Sequence, residues 1–315
     1  MTEEISIRPL AEKDLDEADR LFRLAFGTFL NLPDPMMFAG DTDYFHTRWK
    51  SDPSAVLGAY AKDTLAGSII AVNWGSVGFF GPLTVHPDYW DRGVGKKLIH
   101  AVMEIFDGWG IKNAGLYTFP HSTKHLGLYQ KFNFWPGFLT PVMSKPVQKS
   151  ETTVNWIPFS EFTKTEQEQW RDACRGLTGE IYSGLDLSRE IDAVQDQKLG
   201  ETVLLREGNE LAAFAVCHCG PKTEAGSGSC YIKFAAVKPG PDAHTRFGNL
   251  LVACEAMAAG KNLIRLVGGV NTVHHEAYRE MIARGFRSDF QGVMMHFNND
   301  PGYNRPEYYL LGDWR

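Results

Sequence analysis

The segment from Val85 to Leu98 has the residue types of an anion-binding turn between a strand and a helix. An apolar stretch ends at Val85 and is stopped by Pro87, which has no N–H for a sheet ladder. Gly93 and Gly95 let the backbone turn tightly, and a helix that begins there directs successive peptide N–H groups toward one point. This pattern predicts a seat for a pyrophosphate.

The same loop carries three cations, Arg92, Lys96 and Lys97, which could add charge to the seat but on a helix surface are more often only solvated. We therefore expect the backbone from Arg92 to Lys97, including Val94, to make most of the phosphate contacts. A dinucleotide fingerprint would need a third glycine, and a P-loop would need serine or threonine where Lys97 stands. Neither of those motifs fits.

Two groups of side chains could bind a metal or could have structural roles only. His121 and His125 have the four-residue spacing of ligands on a helix, but no third ligand is evident. The second group consists of Cys217, His218, Cys219 and Cys230. It lacks the two Cys-x-x-Cys pairs of a typical zinc site, and small buried thiols are common in cores. The sequence therefore predicts no metal site.

Composition narrows the class of protein. The chain has 315 residues, 43% of them hydrophobic, which is enough for two packed cores. A formal net charge of -6 leaves no cation excess for nucleic acid, and no apolar run is long enough to span a membrane. The five cysteines are an odd number in a chain too long to need disulfides. We expect a cytoplasmic protein with reduced thiols that binds neither nucleic acid nor membranes.

Hydrophobic periodicity indicates the elements that must hold the loop. For the first half it predicts a strand at 5–8, helices at 12–26 and 41–50, strands at 56–62, 65–74 and 77–86, a helix from 95, a strand at 114–118, a helix at 124–132 and strands at 134–138 and 141–145. For the second half it predicts a helix at 162–175, strands at 203–206, 211–218 and 231–237, a helix at 247–260, a strand at 264–270, a helix at 276–284 and strands at 286 and 293–297. The order is the same in both halves.

An internal repeat explains this order. A shift of the chain by 152 positions places Val85 on Val237 and Pro87 on Pro239, with no gap from there to the last strand. The polar segment from Lys145 to Thr153 reads as the linker between the two halves.

Three motifs give the chain a family resemblance. The strand end Leu83–Pro87, the loop Arg92–Leu98 and the later Leu128–Phe134 resemble, in order and separation, the motifs of the GNAT superfamily of N-acetyltransferases. The family loop usually starts with Gln or Arg, and here Trp90 stands there. The resemblance implies a mixed α/β fold of two GNAT-like domains, each a mostly antiparallel twisted sheet flanked by helices. Residues 1–148 would be catalytic, and residues 149–315 a degenerate, non-catalytic copy.

The resemblance also implies a site. In this family the strand before the loop is bulged, and the pantetheine of acetyl-CoA fills the gap beside it. Leu83, Thr84 and Val85 would line this gap, with the N–H groups of Leu83 and Val85 facing the thioester. Tyr129 would lie near the sulfur as a hydrogen-bond donor to the leaving thiolate. For the proton of the amine, His121 and water-mediated transfer both stay open.

The second half lacks the features that this site needs. At the same offset Gly93 corresponds to Thr245, Gly95 to Phe247 and Tyr129 to Met281. We therefore expect only the first half to bind the cofactor.

The implied activity is transfer of an acetyl group from acetyl-CoA, without a metal, to a primary amine of a small molecule. Transfer from a longer acyl-CoA or an aminoacyl donor, and a non-catalytic acyl-CoA sensor, remain alternatives, and a homodimer is left open. The segment Asn31–Tyr44 is expected to form an apolar wall on the acceptor side or a packing loop between domains. The tail Tyr303–Arg315 is expected to dock on the core, as an extra strand or as an arm over the cleft.

Overall fold

The computed structural model describes residues 4–148 and 154–315. The predicted order of elements in the first half is confirmed. Its elements are β1 (Ile5–Pro9), α1 (Leu15–Phe29), α2 (Phe45–Ser51), β2 (Val56–Ala61), β3 (Thr64–Trp74), β4 (Val77–Val85), α3 (Val94–Trp109), β5 (Asn113–Thr118), α4 (Thr123–Gln130) and β6 (Phe134–Pro146). The apolar stripe of α1 is buried as its period requires, for example at Leu21 and Phe22.

The second half adds one helix that the sequence pattern did not predict, α6. Its elements are β7 (Trp156–Pro158), α5 (Lys164–Ile181), α6 (Ser188–Gln197), β8 (Gly200–Glu207), β9 (Glu210–Gly220), β10 (Gly226–Val237), α7 (Ala243–Gly260), β11 (Arg265–Gly269), α8 (His275–Ala283), β12 (Arg287–Phe297) and β13 (Leu310–Gly312). The α6 helix is mostly polar and buries few apolar side chains, among them Ile191 and Val194, so its period is weak in the sequence. Most of the predicted linker, residues 149–153, lies outside the described residues.

The strands form one mostly antiparallel sheet that runs through both halves. Its order is β1-β2-β3-β4-β5-β12-β6-β11-β10-β9-β8-β7, with β13 paired to β10. The last strand of each half is exchanged: β12 lies between β5 and β6, and β6 pairs with β11. The prediction of two short strands at 134–138 and 141–145 is wrong, because β6 is a single strand that pairs with β12 along most of its length, with two register shifts.

The offset of 152 reappears in the strand register. Residues Val77–Phe80 of β4 pair in parallel with Asn113–Leu116 of β5. Adding 152 to each number gives Ser229–Ile232 of β10 and Arg265–Gly268 of β11, which pair in the same parallel register. The two halves thus hold equivalent strands in equivalent positions.

The two equivalent strand pairs differ beyond the point where their strands separate. Past Phe80, β4 leaves β5, and its residues Leu83–Val85 keep pairing only with β3. Past Ile232, β10 leaves β11, but its residues Phe234–Ala236 pair with β13. The gap beside β4 is therefore open, whereas the gap beside β10 is filled by the chain's own tail.

The sequence predicts that no segment of the chain spans a membrane, and this depends on the length and polarity of the helices. None of the helices in residues 4–148 and 154–315 is both long and apolar enough to cross a membrane.

Candidate functional site

The start of α3 offers backbone donors without a protein partner. Gly93 is the N-cap residue with φ of 81°, a left-handed conformation that favours glycine, and within the described chain no side chain caps the helix. The first N–H that bonds back into the helix belongs to Lys97, which donates to the Gly93 carbonyl at 3.3 Å. The N–H groups of Val94, Gly95 and Lys96 are left at the positive end of the helix dipole. This arrangement of donors suits an anion, and it lies at the place where the sequence predicts a pyrophosphate to bind.

The basic side chains of the loop divide into two groups. Lys96 lines the cavity beside the helix start, while Lys97 donates to the Ile5 carbonyl of β1 at 3.0 Å and Arg92 lies over the Tyr89 ring. Lys124, which the sequence pattern did not single out, lines the cavity and pairs with Asp91 at 2.9 Å. The structure therefore places Lys96 and Lys124 at the seat, and Arg92 and Lys97 beside it.

The free edge of β4 turns two N–H groups toward the gap. His86 donates its N–H to the Ala66 carbonyl across from β3, so by alternation Thr84 also faces β3, where its hydroxyl contacts Ser68 at 2.5 Å. Leu83 and Val85 face the other way. Consistent with this, the Val85 carbonyl accepts a bond from the Trp90 indole at 2.7 Å instead of from β3. The residue that departs from the family loop thus fixes the end of the strand.

A cavity of about 1250 Å³ joins the helix start, the β4 edge and the space beyond them. Typical single-ligand pockets hold roughly 300–1,000 Å³, so two reactants fit here. Its apolar wall comes from α1 and from the predicted 31–44 segment. The lining residues there are Phe22, Phe26, Phe29, Phe38 and Tyr44, whereas Met37 of that segment is exposed.

Tyr129 lies in the cavity wall and is 7% exposed. Burial raises the pKa of its phenol well above the ordinary value, and a hydrogen bond with Thr118 only partly offsets this. The phenol therefore stays protonated at neutral pH and can donate a hydrogen bond.

His121 and His125 also line the cavity, at the start of α4. His121 is exposed and stacks on Phe29, with 6.1 Å between ring centroids. Burial lowers the pKa of His125, helped by the charge of Lys124, so this imidazole is neutral in ordinary buffer. Both histidine rings thus lie against Phe29 in the apolar wall of the cavity.

A buried ion cluster ties the bend in β4 to the second half. Arg48 of α2 binds Glu224 with two bonds, Nε to Oε1 at 2.8 Å and Nη2 to Oε2 at 2.9 Å, and donates from Nη1 to the Gly81 carbonyl at 2.6 Å. Lys233 of β10 reaches the same carboxylate at 2.8 Å and Glu190 at 3.0 Å. Burial alone would raise the pKa of Glu224, but Arg48 and Lys233 outweigh it and hold that pKa well below the ordinary value.

This cluster was invisible in the sequence. Arg48 and Glu224 are 176 positions apart, on a short helix and on a hairpin loop, and nothing in their local pattern marks either one. The sequence does contain one signal for the irregular part of β4, because Pro82 interrupts the strand pattern next to Gly81.

The cysteines behave as core residues. Cys217 and Cys254 have their sulfurs 4.0 Å apart, and Cys219 faces Cys230 across β9 and β10. All five are free thiols. No cluster of three or more His, Cys, Asp or Glu with metal-site geometry occurs in the described parts of the chain.

In the second half, large buried side chains occupy the positions equivalent to Gly95 and Tyr129. Phe247, at the position of Gly95, is fully buried in α7 and packs against Tyr309, with ring centroids 5.6 Å apart. Met281, at the position of Tyr129, is also fully buried.

Comparison with known proteins agrees with this geometry. Residues 19–134 match the model of the Acetyltransferase (GNAT) family. No curated protein matches this sequence. A candidate acetyltransferase from Pyrococcus horikoshii has a similar structure, with a TM-score of 0.70 and 15% identity over 98% of this chain and 95% of that one. A GCN5-related N-acetyltransferase from Sphaerobacter thermophilus has a TM-score of 0.59 and 14% identity, over 95% of this chain and 96% of that one. A GCN5-related N-acetyltransferase from Anabaena variabilis has a TM-score of 0.54 and 11% identity, over 93% of this chain and 72% of that one. At these identities the likeness concerns the fold, and it includes both halves.

Proposed function

We propose that the protein, whose residues 19–134 match the model of the Acetyltransferase (GNAT) family, moves an acetyl group from acetyl-CoA to a primary amine of a small molecule. One observation carries the proposal: the uncapped start of α3 and the unpaired edge of β4 open into the same cavity. The first suits a pyrophosphate and the second suits an extended amide chain, which are the two recognisable parts of coenzyme A.

In this proposal the backbone does most of the binding. The N–H groups of Val94, Gly95 and Lys96 hold the pyrophosphate, with Lys96 and Lys124 adding charge. Acetyl-CoA supplies a thioester, whose carbonyl carbon accepts the amine nitrogen as the carbon–sulfur bond breaks. The N–H groups of Leu83 and Val85 pair with the pantetheine, and one of them polarises the carbonyl oxygen. Because these donors are fixed by the sheet, they need no reorganisation as charge develops.

Tyr129 supports the leaving thiolate as a hydrogen-bond donor. A full proton transfer from a phenol of ordinary pKa to a thiolate is uphill by about 2 kcal/mol, and the raised pKa of Tyr129 makes it harder still. A bond that strengthens as sulfur gains charge stabilises the transition state without that transfer. The proton of the amine passes to His121 or to water at the cavity mouth.

We infer that the second half is a non-catalytic copy of the first fold. Its gap is filled by β13, and Thr245, Phe247 and Met281 stand where the first half has Gly93, Gly95 and Tyr129. One coenzyme A per chain is therefore expected.

The test uses the full chain and two glycines of one helix. Gly93 and Gly110 cap the two ends of α3, both with positive φ and with open space around an added Cβ. Alanine at either position carries a similar strain of about 1–2 kcal/mol. Isothermal titration with coenzyme A should show one site per chain, weakened at least tenfold by Gly93→Ala and unchanged by Gly110→Ala.

Turnover is measured as release of free thiol from acetyl-CoA and from longer acyl-CoA donors, with a panel of amines. Equal coenzyme A affinities for the two glycine variants would contradict the phosphate seat. Binding without turnover of any donor or amine would favour the sensor alternative.

A further inference from the structure

The part of the cavity beside Gly81 is built by the second half and by the residues after β13. Ser229, Phe290, Trp314 and Arg315 contribute to its lining. The pairing of β13 with β10 fixes this tail in place, and the Trp314 side chain is 2% exposed. The tail that fills the gap of the second half therefore delivers its last two side chains to the cavity of the first.

The guanidinium of Arg315 is held on one edge only. Its Nε donates to Asp313 Oδ2 at 3.0 Å, and its carbon lies 4.2 Å from the centroid of the Tyr231 ring. The other oxygen of Asp313 accepts the Tyr231 hydroxyl at 2.8 Å. Nη2 of Arg315 is buried and has no acceptor among the residues that the structure describes. Because the side chain is also 17% exposed and lines the cavity, it retains donors that face a ligand space.

The nearby carboxylates do not use those donors. Glu224 is bound by Arg48 and Lys233, and Asp289 is bound by Arg265 at 2.6 Å. Asp313 binds the Nε edge and balances the charge of the guanidinium. The remaining N–H groups of Arg315 are therefore free to bind an acceptor atom of a molecule that enters the cavity.

A carboxylate is the group that a guanidinium fork binds best, through two parallel N–H···O bonds. Resting on the proposed function, we propose that the amine acceptor carries a carboxylate and that Arg315 binds it. Arg48 connects the tail to β4, because its single guanidinium donates to the backbone carbonyls of both Gly81 and Arg315. With residue 315 held beside the bend of β4, the acceptor that we propose is an amino acid or a small amino-carboxylic acid. The aromatic surfaces of Phe290 and Trp314 suit an apolar side chain.

The first experiment compares matched amines with the wild-type chain. A panel of amino acids, their amides and their decarboxylated amines is assayed with acetyl-CoA by thiol release. The best amino acid should exceed its amide and its decarboxylated amine by about 10- to 100-fold in kcat/KM, the effect of one charge-assisted contact, mostly through the acceptor KM. Amides or simple amines that turn over as well as the acids would overturn the proposal.

The second experiment assigns the contact. Arg315→Lys keeps the cation beside Asp313 but loses the fork, and should remove most of the preference for acids while the KM for acetyl-CoA stays unchanged. Arg315→Gln is a second variant, although it leaves Asp313 without a cation. Arg265→Gln, at a more exposed position of the same cavity, is the control and should keep the preference. Loss of the preference in Arg265→Gln but not in the Arg315 variants would refute the assignment.

The outcomes separate this inference from the proposed function. No binding of coenzyme A contradicts the proposed function itself. Turnover confined to amines without a carboxylate leaves that function standing and overturns the role of Arg315. If coenzyme A binds but no amine turns over, melting temperatures with coenzyme A plus each amino acid or amide decide. Stabilisation by the acid alone, lost in Arg315→Lys, supports the carboxylate site, and equal melting temperatures refute it.

Discussion

Replacement of Glu224 by glutamine isolates the ion cluster that joins the two halves. The side chain is fully buried and satisfies Arg48 and Lys233 at once. Together with Glu190, the cluster has two positive and two negative side chains, so its net charge is zero. Glu224→Gln keeps the shape but removes one negative charge, so that two buried cations share the remaining carboxylate of Glu190.

The loss of stability in Glu224→Gln follows from the burial of the cluster. Breaking a buried ion pair by removal of one partner typically destabilises by about 3–5 kcal/mol, because the other charge stays without compensation. For a large domain each kcal/mol lowers Tm by about 2–4 °C, so Glu224→Gln should lower Tm by about 6 °C or more. A matched control is Glu207, which binds Arg246 by two bonds at 2.8 and 2.6 Å but is 54% exposed. An exposed pair contributes about 0–1 kcal/mol, so Glu207→Gln should shift Tm by no more than about 2–4 °C.

The assay is thermal unfolding of both variants, followed by kinetics well below the lower Tm. Since Arg48 also holds the Gly81 carbonyl, loss of Glu224 should lower kcat more than it raises the KM for acetyl-CoA, whose phosphates bind elsewhere. Equal Tm shifts for Glu224→Gln and Glu207→Gln would refute the energetic reasoning. A destabilised Glu224→Gln with unchanged kcat would show that the cluster supports the fold without positioning β4.

Three further predictions concern proton transfer and protonation. Tyr129→Phe should lower kcat about 10-fold or more with coenzyme A affinity unchanged in titration, and unchanged kcat would remove Tyr129 from the mechanism. In the same kinetics His121→Asn should lower kcat/KM for the amine about 10-fold or more with coenzyme A affinity unchanged, and an unaltered kcat/KM would leave water as the base. Burial lowers the pKa of His218 and of His274 to about 4, below the ordinary 6.5. Between these values the unfolded chain binds protons that the folded chain does not, so stability should fall by about 1.4 kcal/mol per pH unit per histidine as pH drops from 6.5 toward 4. Denaturant midpoints that stay constant from pH 6.5 to 5 would contradict this.

Local sequence pattern was sufficient to predict most of the helices and strands and the glycine turn at the start of α3. The period of the α3 residues, the glycines before them and the proline after β4 each act over a few positions, so their effect can be read from neighbours in the chain. The repeat supplied longer-range information, because one offset placed β4 and β10 in the same register. The open gap beside β4 came from family resemblance, since unpaired edges leave no mark on composition.

Groups that meet from distant positions could not be predicted. Arg48 and Glu224 are ordinary charged residues until the fold buries them together. The exchange of β6 and β12 was hidden for a similar reason: a strand's alternation indicates which face is buried but does not indicate its neighbours. Arg315 belongs to a tail that the sequence allows to be either an extra strand or an arm over the cleft. The pairing of β13 with β10 shows where this tail lies.

The pairing of β13 with β10 also relates the two halves to each other. When β13 lies beside β10, it covers the edge that is equivalent to the open edge of β4. It also carries Trp314 and Arg315 to the cavity where the first half needs a wall for its acceptor. Because β12 lies between β5 and β6, removal of the second half would strip partners from both strands of the first. The pairing of β13 with β10 thus has two effects: it fills the gap in the second half and places two side chains in the cavity of the first, while the exchanged strands tie the halves together.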